Sequence, residues 1–115
     1  MNKLILLKGT EGKEKAEEKT RLLGAMDGGV LYCNRRTMRT YASNKNLSEL
    51  EIVRKQRKAV QQCLGNRANV IVDVLGLTFR SEKKWQKIAK SYGATLEIRE
   101  WDAGWGEYVS TQLFT

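Results

Sequence analysis

Apolar residues occur along the chain in short runs that alternate with longer amphipathic segments. Three runs are almost free of polar residues, and they predict strands at Lys3–Lys8, Val30–Cys33 and Val70–Leu75. Uninterrupted apolar runs are typical of strands that are buried on both faces of a parallel sheet. The segment Thr95–Glu100 alternates between apolar and polar residues instead, and we expect it to be an edge strand with one polar side.

The segments between these strands repeat their apolar residues at helical spacing. Lys13–Met26 predicts a helix whose inner face holds Ala16, Thr20, Leu23 and Met26. A second helix, Glu49–Leu64, follows the N-cap residue Ser48, and its predicted inner face holds Ile52, Val53, Gln56, Ala59, Val60, Cys63 and Leu64. In a third helix, Ser81 is the predicted cap and Gly93 the end, and the predicted inner face holds Trp85, Ile88, Ala89 and Tyr92.

Two remaining segments complete the predicted order of elements. Asn34–Lys45 is basic and predicts a short helix followed by a loop, and Glu107–Leu113 predicts a short terminal helix. The resulting alternation of strands and helices implies right-handed crossovers and helices on both faces of a parallel sheet. We therefore predict one domain, residues 1–115, with a three-layer α/β/α sandwich and a mostly parallel sheet of four to five strands.

Composition narrows the possible functions. No apolar run approaches the roughly 20 residues that cross a bilayer, and the N-terminus lacks the pattern of a signal peptide, so we expect a cytoplasmic protein without a membrane partner. Histidine is absent and the two cysteines, Cys33 and Cys63, are 30 residues apart. We therefore expect no metal site and no cofactor, and we interpret both thiols as small buried side chains. The net charge of +8 favours an anionic partner, which is nucleic acid, a nucleotide or an acidic protein.

Ligands of parallel α/β sheets bind beyond the carboxyl ends of the strands, and the first such end carries a candidate phosphate-binding loop. The P-loop pattern is G-x-x-x-x-G-K-[ST]. Gly9 and Lys15 match its first glycine and its lysine, and Gly12 lies between them. Glu14 replaces the second glycine and Ala16 replaces the hydroxyl residue that holds magnesium. We expect the neighbouring carboxylates of Glu17 and Glu18 to suit the helix N-terminus and to occupy the position of a phosphate.

The order of these motifs from Lys3 to Leu113 resembles the kinase domain of bacteriophage-type 5′-polynucleotide kinases. The loop G-x-P-G-S-G-K-S-T of that family aligns with residues 9–17. Its N-R-D-D-x-R segment aligns with residues 34–39, where Asn34, Arg35 and Arg39 agree. Residues 83–93 resemble its W-x-x-F-A-K-x-Y-G helix, and residues 101–105 resemble its F-D-x-P-W segment.

The resemblance implies a P-loop-kinase-like fold, and the departures from it imply lost catalysis. The general base of the family falls on Arg36, which cannot accept a proton from a 5′-hydroxyl. After Asp73 the polar substrate contacts of the family are replaced by Val74 and Leu75, and we expect its lid arginine to be missing. Phosphoryl-transfer catalysis consists largely of positioning and charge stabilisation, so these losses predict a pseudoenzyme.

Two further groups of residues are candidate binding surfaces. The first is a basic face with Tyr32 and Tyr41 beside it, and it comprises Arg35, Arg36, Arg39, Arg54, Arg57 and Lys58. It predicts a docking face for nucleic acid or an acidic protein, or else the solvated outer face of an amphipathic helix. The second group is aromatic and comprises Trp101, Trp105 and Phe114. These residues predict a protein interface, with core packing as the alternative.

Three hypotheses about function follow. The first is an inactive polynucleotide-kinase-like protein, encoded by a phage, that binds and inhibits a host protein or defence factor in the host cytoplasm. The second is a module that binds nucleic-acid ends through Arg35, Arg39 and Lys15. The third is a residual nucleotide or polynucleotide kinase. The sequence leaves the oligomeric state and the identity of the partner open.

Overall fold

The computed structural model describes residues 2–10, 12–26, 30–34, 40, 43 and 45–113 of the chain. The described strands are β1 (Lys3–Lys8), β2 (Val30–Asn34), β3 (Asn69–Val74), β4 (Thr95–Asp102) and β5 (Glu107–Leu113). The described helices are α1 (Lys13–Ala25), α2 (Glu49–Gly65) and α3 (Phe79–Ser91). Most of the short helix predicted over residues 34–45 lies outside the described residues, and Asn34 itself ends β2.

The strands form one sheet in the order β2-β3-β1-β4-β5. The first four strands are parallel, and β5 runs antiparallel to β4. At the centre, Leu6 of β1 lies between Val72 of β3 and Ile98 of β4. The predicted α/β sandwich with a mostly parallel sheet is therefore confirmed.

Helices α2 and α3 cover one face of this sheet. Leu4 and Leu6 of β1 pack there in one cluster with Val60 of α2 and with Trp85 and Ala89 of α3. The predicted Ser48 cap is confirmed, because its hydroxyl oxygen accepts a hydrogen bond from the Glu51 amide at 3.3 Å. The buried stripe of α2, which is Ile52, Gln56, Val60 and Leu64, is also the predicted one.

Helix α1 covers the opposite face, and its orientation differs from the prediction. The buried residues of α1 are Lys15, Glu18 and Leu22, whereas Ala16 and Thr20 are exposed. Leu22 packs on Ile5 and Leu7 of β1. The spacing of apolar residues predicted the wrong inner face because two of the three buried positions carry charged side chains. Their ion-pair partners lie on distant strands and come close only in the folded sheet.

An ionic seam joins α1 to β4 and β5. Glu18 accepts hydrogen bonds from Arg99 Nε at 3.0 Å and from Arg21. Arg99 also donates from Nη1 to Glu97 Oε1 at 2.7 Å, and the same oxygen accepts from the Ser110 hydroxyl at 2.6 Å. Buried charges cost free energy unless they are paired and hydrogen-bonded, so these contacts allow α1 to dock through a polar surface.

Two further predictions are corrected by the sheet. Residues 107–113 form strand β5 and not a helix, because they pair with β4 across a hairpin in which Gly106 adopts a φ of 66°. Strand β4 therefore lies inside the sheet and not at its edge, and β2 is an outer strand.

Helix α3 also differs from its prediction at its start and at Tyr92, whereas Gly93 follows the helix as predicted, with a φ of 65°. It begins at Phe79 because Thr78, and not Ser81, is its N-cap. The Thr78 hydroxyl oxygen accepts a hydrogen bond from the Ser81 amide at 3.1 Å. At the other end Tyr92, predicted to face inward, is exposed and lies against Gly65 of α2. Among the described residues, no helix combines the length and the apolar character that a membrane span requires.

Replacement of Trp85 tests the core under α3. The Trp85 side chain is 6% exposed, so Trp85→Ala should lower the free energy of unfolding by about 3–5 kcal/mol. Trp105 is 78% exposed, and Trp105→Ala is a matched control that should change it by less than about 0.5 kcal/mol. Urea denaturation followed by circular dichroism measures both. Equal losses in the two variants would contradict this packing.

Replacement of Ser110 tests the ionic seam. Burial by itself raises the pKa of Glu97, but hydrogen bonds from Ser110 and Arg99 and the charges of Arg99 and Lys3 outweigh it and hold the pKa below its ordinary value of 4.5. A depressed pKa means that ionised Glu97 stabilises the fold above pH 4.5, and that this contribution is lost as the pH falls through the folded pKa. Ser110→Ala should therefore lower the free energy of unfolding at neutral pH by about 1–2 kcal/mol.

The pH dependence distinguishes this electrostatic effect from a packing effect. The difference between wild type and Ser110→Ala should shrink in acid, once Glu97 is protonated in both proteins. Thr111→Ala, on the same strand but on the other face of the sheet, is the control, and its effect should not vary with pH. A Ser110→Ala effect that is constant from neutral to acid pH would refute the assigned role of Glu97.

Candidate phosphate-binding loop

The candidate loop lies at the point where the sheet changes its winding direction. Strands β1 and β3 are neighbours, yet β1 leads through α1 to β2 on one side while β3 leads through α3 to β4 on the other. The two connections leave a crevice at the carboxyl ends of β1 and β3. Ligands of open α/β sheets bind in such a crevice, so the fold places the predicted loop where a ligand site is expected.

Gly9 and Gly12 shape the loop between β1 and α1. Gly9 has a φ of 130°, which a residue with a Cβ rarely adopts, and its amide donates to the Val74 carbonyl of β3 at 3.0 Å. Gly12 is the N-cap of α1 and supplies no side-chain cap, while its carbonyl accepts from the Ala16 amide at 3.0 Å. Gly9 therefore ties the end of β1 to the end of β3, and Gly12 begins α1.

The Lys15 ammonium group points into the protein, and its side chain is 4% exposed. Nζ donates to the Gly9 carbonyl at 2.6 Å and to the Val74 carbonyl at 3.0 Å, and it forms an ion pair with the Asp73 carboxylate. An ammonium group has three hydrogen-bond donors, so these three acceptors satisfy it completely. No donor of Lys15 is left over for a phosphate in this arrangement.

Asp73 is held in place from the other side by Tyr32. The Tyr32 hydroxyl lies 2.5 Å from Asp73 Oδ2, and the Lys19 ammonium lies 4.0 Å from the centre of the Tyr32 ring. Since the two oxygens of Asp73 face Tyr32 and Lys15 respectively, the carboxylate is fixed between β2 and α1. This constellation of Lys15, Asp73 and Tyr32 is called the lysine clamp below.

Negative charge gathers around the start of α1. The Glu14 carboxylate turns back toward Gly12, where Oε2 would lie 3.7 Å from an added Cβ. Burial raises the pKa of the Tyr108 phenol, and the carboxylates of Glu18, Glu14 and Asp73 raise it further. An incoming phosphate would therefore meet carboxylates at a position where binding needs positive charge and free amide groups.

The residues of the loop do not fit a magnesium-bound nucleotide. Ala16 is exposed and has no hydroxyl to offer a metal ion. Among the described residues, no group of three or more acidic, cysteine or histidine side chains could hold a metal. The prediction that Glu18 occupies the phosphate position is wrong, because Glu18 lies one turn further along α1 and pairs with Arg99 and Arg21. Glu17 is exposed.

The other predicted site residues lie apart from the loop. Arg54, Arg57 and Lys58 lie on α2, across the sheet from α1. Trp101 contacts Tyr108 edge to face at 5.5 Å between ring centres, and Trp105 lies exposed in the hairpin between β4 and β5. Arg35, Arg36, Arg39 and Phe114 lie outside the described residues. The binding roles of all these residues remain predictions.

Sequence reasoning missed Tyr32, Arg99 and Tyr108 as neighbours of α1. In the sequence, Tyr32 stands out only because it lies close to basic residues, and its hydrogen-bond partner Asp73 is 41 residues away in the chain. The available signal was the pair of polar residues Glu97 and Arg99 inside a strand whose other face is apolar. Alternation of this kind places both on one face, but it does not reveal which helix covers them.

Comparison with known proteins supports the fold and, more loosely, the kinase relation. No family model matches the sequence, and no curated protein matches it. A chain of the solved Pnkp1/Rnl/Hen1 complex superimposes with a TM-score of 0.72 and 25% sequence identity. The match covers 88% of this chain but only 35% of that chain. This protein therefore spans about a third of the length of its structural neighbour, and the match supports a kinase-like relation only loosely.

Proposed function

We propose that this protein is a non-catalytic relative of polynucleotide kinases that acts by binding a partner. The observation that carries the proposal is the lysine clamp. The Lys15 side chain, which matches the lysine of the P-loop pattern, is buried, and its donors are engaged by Gly9, Val74 and Asp73. Similarity to the Pnkp1/Rnl/Hen1 chain supports the kinase-like origin.

The energetic cost of opening the clamp supports the absence of catalysis. Breaking a buried ion pair costs about 3–5 kcal/mol, which corresponds to about two to four orders of magnitude in affinity. A nucleotide would have to offset this free energy next to the negatively charged Glu14 carboxylate. It would also have to bind without a magnesium-binding hydroxyl group, because Ala16 occupies that position. Each of these features acts on charge stabilisation, on which phosphoryl transfer chiefly depends.

The alternative hypotheses depend on the same lysine. Recognition of a nucleic-acid end through Arg35, Arg39 and Lys15 would need a Lys15 ammonium that is free to leave Asp73. A residual kinase would need the same freedom and, in addition, a general base in place of Arg36. A phage origin and a host protein or defence factor as the partner remain predictions. Affinity capture from a host lysate, with and without nuclease, would tell a protein partner from a nucleic-acid partner.

An assay of phosphoryl transfer tests the proposal directly. With magnesium and γ-labelled ATP, the protein should transfer no label to an oligonucleotide that ends in a 5′-hydroxyl. ATP should also leave the melting temperature unchanged, because a ligand that does not bind the folded state cannot stabilise it. An active polynucleotide kinase is the positive control. Transfer that disappears in Lys15→Met would overturn the proposal.

A double-mutant cycle tests the lysine clamp by its stability. Lys15→Met leaves the Asp73 carboxylate buried without its cation and should lower the free energy of unfolding by about 3–5 kcal/mol. Lys13→Met is the matched control on an exposed position of α1 and should change it by less than about 0.5 kcal/mol. Lys15→Met combined with Asp73→Asn should recover part of the loss, because the uncompensated charge is gone. Additive losses in the double variant would argue against the pair.

A further inference from the structure

Among the described helices, positive charge is concentrated on α2 and α3, which cover one side of the sheet. Helix α3 has five basic residues and one acidic residue, a net charge of +4. Helix α2 has four basic and two acidic residues, a net charge of +2. Helix α1, on the other side, has four basic and three acidic residues, a net charge of only +1.

The basic residues of α3 form one stripe that faces solvent. They occupy positions i, i+3, i+4, i+7 and i+10, which lie on one side of a helix, and all five are exposed: Arg80, Lys83, Lys84, Lys87 and Lys90. The buried residues Trp85 and Ala89 lie on the opposite side of the same helix. At 1.5 Å per residue the stripe is about 15 Å long.

Helix α2 extends this basic surface sideways. It lies beside α3, because Val60 and Leu64 share a core cluster with Trp85, and the Tyr92 hydroxyl lies 3.4 Å from Gln61 Oε1. Three of its basic residues, Arg54, Lys55 and Lys58, are exposed, and the fourth, Arg57, is partly buried at the margin of the buried stripe. The outer side chains of the two helices are called the basic helix face below.

The charges of the basic helix face are not neutralised within the described part of the chain. The ion pairs among the described residues join side chains of α1, β1, β3 and β4, and none includes a cation of α2 or α3. Like charges at i,i+3 and i,i+4 destabilise a helix by about 0.2–0.5 kcal/mol per pair. The stripe therefore costs stability in the free protein, and an anionic partner would remove that cost.

An exposed aromatic ring stands at the start of the stripe. Phe79 is 76% exposed, and the Lys83 ammonium lies 4.6 Å from the centre of its ring. Leu75, in the preceding loop, is 69% exposed. Proteins that bind single-stranded nucleic acid combine basic side chains along the backbone with aromatic rings on which bases stack, and Phe79 next to the stripe has this arrangement.

We propose that the basic helix face binds the phosphate backbone of single-stranded nucleic acid, with Phe79 as a stacking platform for an unpaired base. The five cations of the stripe lie within about 15 Å along the helix axis, so they can contact neighbouring phosphates of one strand. The surface differs from the loop of Gly9 and Lys15, because its cations lie along the outer sides of α2 and α3, although Phe79 begins α3 only five residues after the end of β3. This inference rests on the proposed function in one respect: it names the partner that a protein acting by binding would bind.

The residue types favour nucleic acid over an acidic protein. Protein interfaces are depleted in lysine and enriched in aromatic residues, methionine and arginine, whereas four of the five cations on α3 are lysines. Strongly hydrated lysine side chains suit contact with phosphates as point charges.

Salt-dependent binding of an oligonucleotide tests the face against a matched control. The probe is a 20-nucleotide single strand with a 5′-phosphate and a 3′-fluorophore, so that no 5′-hydroxyl is present. Lys84→Gln with Lys87→Gln should weaken its binding about tenfold at 100 mM salt and reduce the slope of log K against log salt by about 1.4, which is about 0.7 for each phosphate contact. Lys13→Gln with Lys19→Gln on α1 removes the same charge and should change the affinity less than about twofold, because the Debye length is about 10 Å.

Replacement of Phe79 tests the stacking platform. Phe79→Ala should weaken binding of the single strand about fivefold or more and leave binding of a duplex of the same sequence unchanged, since stacking needs an unpaired base. An equal effect on both probes, or no effect on either, would overturn the assignment of Phe79. Equal effects of the α1 and α3 double variants would overturn the assignment of the basic helix face.

The outcomes also separate this inference from the proposed function. If wild-type protein binds no oligonucleotide but binds poly-glutamate, the partner is an acidic protein and the inference fails, while the absence of phosphoryl transfer still stands. If the protein transfers phosphate but the α3 variant alone loses affinity for the 5′-phosphorylated probe, the proposed function fails and the inference stands.

Discussion

A buried ammonium group must find its hydrogen-bond acceptors inside the protein, and Lys15 finds all of them where three elements meet. Gly9 follows β1, Asp73 and Val74 end β3, and Lys15 itself opens α1. The lysine clamp thereby fixes the rotation of α1 about its own axis. Glu18 and Leu22, which lie three and seven residues further on, must then face the sheet as well, and β4 supplies Arg99 to meet Glu18.

This dependence explains which parts of the structure the sequence could predict. Strands β1 and β3 and the inner stripes of α2 and α3 are apolar, so their pattern reports burial directly. The inner face of α1 is charged, and its partners Asp73 and Arg99 lie 58 and 81 residues away from Lys15 and Glu18. No local periodicity can encode such a pairing. The predicted stripe is wrong at Ala16 and Thr20 for this reason, whereas Leu23 and Met26 are partly buried and pack against the core beneath α1, as predicted.

The prediction of a helix over the residues of β5 was wrong for a different reason. This strand is largely exposed, so its sequence has no repeating apolar pattern that would distinguish a strand from a helix. Its Tyr, Val and Thr residues favour a strand, but only the hairpin makes that preference decisive. Asp102 Oδ1 accepts from the amides of Gly104 and Trp105 at 2.8 and 3.1 Å, which closes the turn. In the loop, the residue types indicated a weakened phosphate site, whereas the engagement of Lys15 by Asp73 required knowledge that β1 and β3 are neighbours.

In the part of the chain that the structure describes, buried charged residues are paired on the side of the sheet that α1 covers, whereas cations are mostly exposed and without ion pairs on the side that α2 and α3 cover. Beneath α1, carboxylates and cations alternate and neutralise one another, as the stability of a buried seam demands. On α2 and α3, exposed cations accumulate with few acidic neighbours, although neither the core nor the helix termini need them there. Among the described residues, the buried charges beneath α1 form ion pairs, whereas no cation of α2 or α3 does. Because self-repulsion among those cations opposes folding, their concentration is best understood through the field that they present to an anionic partner.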